Sequence, residues 1–269
     1  MPALDVLITT FIKRPYVFAF LGAYLVISIL NHGKKKTFLF LTTGYVIAWI
    51  SEAASIRTGF PYGWYFYIYE NLQGEWLNWG VPVWDSLSYT FLCFAGMSLA
   101  ELGFRSGPRA LSHTTSIAMK SARSSNMERM TDVKIALWGA LFVMILDIII
   151  DPLAHQGDKW FLGKIYYYPY PGYYFQVPVA NFIGWFFVAF FVIYLNRLIW
   201  DKLSWKTKTV THPLIKLMGP GLYFGIFLFN WLITLYIRDW TLLGLDLLWI
   251  SLPAFFFYKF YKSTRSPSY

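Results

Sequence analysis

The chain has 269 residues, 57% of them hydrophobic and 14% charged, whereas soluble domains run at about 45–50% apolar and about 25% charged. Lipid is therefore the expected solvent, and the formal charge of +9 sits in short Lys/Arg segments between apolar runs, which argues against nucleic acid as a partner. A single cysteine, Cys93, excludes both a disulfide framework and a thiolate metal site.

The first dozen residues, MPALDVLITTFI, lack a basic n-region and a small-residue cleavage site, so residues 1–14 are expected to stay as an interfacial segment. Apolar runs follow near 15–31, 37–54, 81–103, 133–151, 178–200, 213–237 and 240–260, each matching the about 17–25 residues that a membrane crossing needs. They predict an all-α membrane protein of seven spans forming one transmembrane domain over 1–269. Within it we read a hairpin at 37–103, a mobile cytoplasmic loop at 104–132 that is rich in Ser, Arg, Lys and Met, a second hairpin at 133–200, and a C-terminal helix pair at 213–261. If the Lys34–Lys36 connection is cytoplasmic, 17 of the 23 Lys and Arg residues share that side, which predicts an outside N-terminus and a cytoplasmic C-terminus. Lys13 and Arg14 fit this assignment least well. A bacterial or archaeal cytoplasmic membrane is the expected location.

Two long connections, about 51–80 and 152–177, interrupt the short basic loops and are dense in Gly, Pro, Trp and Tyr. Each follows an apolar run ending in an acidic residue, Glu52 or Asp151. Each closes on a Val-Pro-Val: Val81-Pro82-Val83-Trp84-Asp85 in one case, Val177-Pro178-Val179-Ala180-Asn181 in the other. The pattern reads as a parallel hairpin repeat, though Pro is common in the first turn of any helix. A repeat would set Glu52, Asp85, Asp151 and Asn181 at comparable depth, free to converge on one pocket.

An ionisable side chain inside a membrane helix costs at least about 2.5–3.5 kcal/mol and is a functional hypothesis by default. Asp147 and Asp151 are four apart and share a helix face. Two like charges so close favour a proton on one of them, a neutral acid able to donate, and we place it on Asp151 with Asp147 as the neighbour that keeps it there. A structural pair with Arg57, Lys159 or Arg238 is the alternative. Glu52 and Asp85 line the same region. Asp85 and Asn181, each just after a Pro, would serve equally well as helix caps, and Asp246 in the last span would serve to bond Asn230 or a tyrosine. Of the four histidines only His155 lies near the pocket, and none has metal-ligand spacing. Gly-rich phosphate loops, GxSxG elbows and acidic diphosphate clusters are missing as well. No cofactor and no metal is expected. The 22% aromatic content exceeds what two interfacial belts need, so some rings should line a cavity.

Glu52, Thr58-Gly59-Phe60-Pro61-Tyr62-Gly63-Trp64-Tyr65, Asp147-Ile148-Ile149-Ile150-Asp151-Pro152 and Val177-Pro178-Val179-Ala180-Asn181-Phe182-Ile183-Gly184-Trp185 resemble the integral-membrane carotenoid biosynthesis family, which includes hydratases of acyclic carotenoid ends. The resemblance covers about residues 40–200. It implies acid-catalysed hydration of a terminal double bond, with Asp147, Asp151, Glu52 and Asp85 as acid and base groups. Trp64, Tyr65, Trp84, Asn181, Trp185 and Arg57 would then meet a hydrophobic isoprenoid substrate. Trp84-Asp85-Ser86-Leu87-Ser88 departs from the apolar run that follows the Pro in the hydratase pattern, so cyclisation or isomerisation of an isoprenoid end, or a lipid-binding or transport role without catalysis, stays open. Beyond substrate, membrane lipids are the expected partners.

The topology has a direct test: single cysteines placed at Gly74 and Ser112 should react with an impermeant thiol reagent from opposite faces of the membrane, and labelling from the same face would overturn it.

Overall fold

The computed structural model describes residues 3–104, 117–203, 205 and 212–265. Among the described residues the helices are α1 (Ala3–Lys13), α2 (Pro15–His32), α3 (Lys34–Thr58), α4 (Val83–Phe104), α5 (Ile117–His155), α6 (Val179–Lys202), α7 (Pro213–Tyr236) and α8 (Trp240–Arg265). The last seven each contain a stretch long and apolar enough to cross a membrane, and the protein is an all-α membrane protein with the seven spans that hydropathy predicts. α1 buries only Thr10 and exposes Leu4, Leu7, Ile8, Phe11 and Ile12.

Local chemistry sets the helix ends. Pro15 and Pro213 occupy first turns of α2 and α7, where a missing N–H costs nothing. Gly59 ends α3 in the left-handed conformation, its N–H donating to the Ser55 carbonyl at 2.9 Å.

α4 and α5 are the most buried spans, α2 and α8 the least. The two central helices touch through glycine: a Cβ on Gly96 would lie 2.6 Å from the Gly139 carbonyl oxygen, and one on Gly139 would lie 3.2 Å from the Cα of Met97. In lipid, where apolar surface gains little by leaving its solvent, such close backbone approach is a main source of helix association.

Both long connections lie at the same end of the bundle, as the chain order of spans requires. Strand β1 (Phe66–Tyr67) of the first pairs antiparallel with a strand of the second, Tyr166–Tyr167, in the register Phe66↔Tyr167 and Tyr67↔Tyr166. Arg14, at the start of α2, ties both connections down. It donates from Nε and Nη2 to Glu75 at 2.9 and 2.8 Å, from Nη1 to the Leu162 carbonyl at 2.7 Å, and lies over the Trp84 ring at 4.7 Å. This buried pairing accounts for a basic residue on the end that otherwise holds few. At the other end Arg197 of α6 bonds Asp132 of α5, and also Glu101 of α4 at 2.7 Å.

One expectation is corrected. Residues 117–132, read as part of a mobile loop over 104–132, are the N-terminal turns of α5; residues 105–116 lie outside the described ones. The segment has no apolar stripe to announce a helix, yet Ala, Met, Lys, Arg and Glu are good helix formers, and Asp132 is held by Arg197.

Breaking a buried ion pair by removing one partner typically costs about 3–5 kcal/mol. Glu75→Gln should therefore lower thermal stability markedly in detergent solution, and an unchanged unfolding curve would mean that Arg14 does not depend on this carboxylate.

Candidate active site

At the end of the bundle covered by the two connections, a cavity of about 140 Å³ is lined by Glu52 of α3, Asp85 of α4, Asp147 and Asp151 of α5, and Asn181 of α6. Each sits where its local sequence sends it. Val-Pro-Val steps start α4 and α6, so Asp85 and Asn181 fall in first turns at the same end, while Glu52 and Asp151 occupy the last turns of helices arriving from the opposite end. Gly184 lets the Phe60–Gly63 turn rest on α6, since a Cβ there would lie 2.7 Å from the Pro61 carbonyl oxygen and from the Tyr62 ring.

The four carboxylates are unequally bonded. Asp151 accepts from the Tyr166 hydroxyl on Oδ1, and on Oδ2 from the Tyr168 hydroxyl at 2.6 Å and the Asn181 amide at 3.0 Å. Asp147 accepts one bond, from the same Asn181 amide at 2.9 Å. Asp85 accepts from Tyr67 at 2.7 Å, and Glu52 from Ser86 at 3.1 Å. The alternative in which Asp147 and Asp151 pair with a basic residue is not what the structure contains: Lys159 bonds Gln156, Arg57 bonds the Ala53 and Trp79 carbonyls, and Arg238 is exposed.

The three donor tyrosines, Tyr67, Tyr166 and Tyr168, meet their acceptor acids because β-strands alternate. Tyr65, Tyr67, Tyr166 and Tyr168 all point inward from the paired strands and their flanks, whereas Phe66 and Tyr167 between them face outward. Tyr65 meets Tyr67, Tyr166 and Tyr168 edge-on at 5.4, 6.1 and 6.2 Å. Burial foremost, with Asp151 close by, pushes the phenols of Tyr166 and Tyr168 well above their ordinary range, so both remain O–H donors at neutral pH. Trp84 and Trp185 complete the wall. The Trp84 indole donates to Glu75 at 2.7 Å, and Trp185 stacks on Tyr89 at 4.3 Å while its carbonyl accepts the Tyr89 hydroxyl at 3.0 Å.

The structure thus brings together Glu52, Asp85, Asp147, Asp151, Asn181, Tyr65, Trp84 and Trp185, and leaves two expected site residues outside. Arg57 is held by backbone carbonyls at the end of α3. Trp64 lies beneath Gly59 and stacks on Phe66 at 6.0 Å, partly exposed. In the alternation that turns Tyr65 and Tyr67 inward, Trp64 takes the outward place. Asp246 is fully buried in α8 but does not line the cavity, and Asn230 donates instead to the Ile226 carbonyl at 2.9 Å. His155 stacks on Tyr168 at 6.0 Å behind the wall. Tyr62, Tyr67, Tyr166, Tyr168 and Ser86 also belong to the site and are not among the residues expected from the sequence. The Tyr-x-Tyr of each connection was the available signal for three of them; Ser86 gave none.

Fold and site together define a polytopic membrane protein with an aromatic-walled cavity carrying four acids. A family model described as carotenoid biosynthesis protein matches residues 14–253, and the chain belongs to that family, with a role in carotenoid biosynthesis. No curated protein and no solved structure matched it.

Removing one partner of a buried hydrogen bond costs about 1–3 kcal/mol. Tyr168→Phe should lower stability by that order while Tyr167→Phe, on the outward face, should not; equal unfolding curves for both would show that the bond from Tyr168 to Asp151 contributes nothing to stability.

Proposed function

We propose that the protein is a cofactor-independent hydro-lyase that adds water to the terminal double bond of an acyclic carotenoid. The observation that carries this reading is the unequal bonding of two carboxylates one helical turn apart. Asp151 has donors on both oxygens, three in all, and Asp147 has one. A carboxylate so surrounded is the ionised member, and repulsion at this spacing leaves the proton on its neighbour. The acid is therefore Asp147, the reverse of the order expected from spacing alone.

The Asp147 O–H protonates the CH carbon of a terminal isopropylidene. The π pair forms the new C–H bond and leaves a tertiary cation, which the faces of Trp84, Trp185 and Tyr65 stabilise. Water attacks the cation, the resulting oxonium gives its proton to Glu52 or Asp85, and transfer of that proton within the acidic group restores Asp147. The net change is one added water. Tyr166 and Tyr168 hold Asp151 in place and keep its charge against the acid. In this proposal the site faces the non-cytoplasmic side of a bacterial or archaeal cytoplasmic membrane, the N-terminus outside and the C-terminus within.

Mass spectrometry of pigments from a lycopene-producing host, with and without the protein, tests the reaction: a product heavier by one water is expected, and an isomeric product would assign cyclisation instead. Asp147→Asn should cut turnover by about 10²–10⁴-fold at nearly unchanged thermal stability, because only one hydrogen bond is involved. Asp151→Asn should lose both activity and stability. A fully active Asp147→Asn protein would remove this residue as the acid.

A further inference from the structure

The cavity is not confined to the acids. Its walls continue from the carboxylates to Tyr16, Val17 and Phe20 on α2 and to Ile226, Phe229 and Asn230 on α7. α2 and α7 are in contact along the outside of the bundle and are far less buried than α4 and α5. Where they meet, the barrier is made of rings: Tyr16 stacks on Phe229 at 5.3 Å, Phe20 meets Phe229 edge-on at 5.6 Å, and Phe20 meets Phe91 at 5.8 Å. Phe20 and Phe229 are neither buried nor fully exposed, and their rings carry no hydrogen-bonding group, whereas the Tyr16 hydroxyl interacts with Arg14. The roof is held by contacts of another kind, the paired strands and the Arg14–Glu75 bonds.

Size requires the chain to leave the cavity. An apolar cavity of about 150 Å³ takes a benzene-sized guest, so the about 140 Å³ here holds the end group of a long isoprenoid and no more. The cavity is partly open, and the remainder of an apolar molecule leaves it toward lipid.

Resting on the carotenoid reading above, we infer that the isoprenoid chain of the substrate lies in the seam between α2 and α7, admitted sideways from the bilayer, with Phe20 and Phe229 as the residues that position it. The acids then see only the terminal isopropylidene. The aromatic pair sets how far the end group advances, and the length of chain beyond the seam is left free in the membrane.

The test uses the full chain in lipid nanodiscs with two probes, lycopene and 2-methylpent-2-ene, a six-carbon alkene that carries the same isopropylidene and fits wholly inside the cavity. Phe229→Trp and Phe20→Trp narrow the seam and should raise KM for lycopene about tenfold or more with little change in kcat. Conversion of 2-methylpent-2-ene should fall by much less, and Leu228→Trp, on the exposed side of α7, should change neither. Equal loss on both probes, or no loss on lycopene, would overturn the inference. If the unaltered protein converts neither probe, the hydration reading fails and the seam is judged on binding alone. Lycopene binding, read from quenching of tryptophan fluorescence and calibrated for each variant with Leu228→Trp as the matched reference, should then weaken about tenfold in Phe20→Trp and Phe229→Trp, and equal binding would overturn it.

Discussion

Four carboxylates share one cavity at the end of a bundle whose spans are apolar, and lipid offers no water to solvate them. In such a medium each buried polar group needs a partner inside the protein. The architecture around the cavity follows from that requirement. Ser86 and Asn181 supply donors from the first turns of α4 and α6, and the connections supply Tyr67, Tyr166 and Tyr168. The connections must therefore fold down over the helix ends, and their two-residue strand pairing sets which rings face the cavity, because alternation turns one tyrosine of each pair inward and its neighbour out.

A roof held by so short a pairing needs an anchor, which Arg14 provides. It reaches a side chain in the first connection and a backbone carbonyl in the second, and Trp84 both bonds the Glu75 carboxylate and walls the cavity. Strain introduced at this anchor is felt at the site through one indole ring. Beneath the roof, Gly96 and Gly139 bring α4 and α5 close enough to fix the depth of Asp85 against Asp147 and Asp151. The centre and the roof are thus held by close backbone approach and a buried ion pair, and the seam between α2 and α7 is lined by rings.

What the sequence by itself determined is the part of the protein governed by local spacing. Seven spans follow from run length, a common end for both connections follows from counting spans between them, and Asp147 beside Asp151 follows from the helical period. The Val-Pro-Val steps likewise marked where Asp85 and Asn181 begin their helices. Tertiary structure alone decided how these acids differ, because Asp151 gains its extra donors from residues 15 and 17 positions away along a connection that has no regular period. It also decided that Arg14 meets Glu75 across 61 positions, that Arg57 and Trp64 turn away from the cavity, and that residues 117–132 continue a helix. Composition near a motif cannot reveal which way a side chain points in an irregular segment. That depends on which distant backbone it pairs with, and in this protein the pairing of Phe66 and Tyr67 with Tyr167 and Tyr166 is the contact that makes the choice.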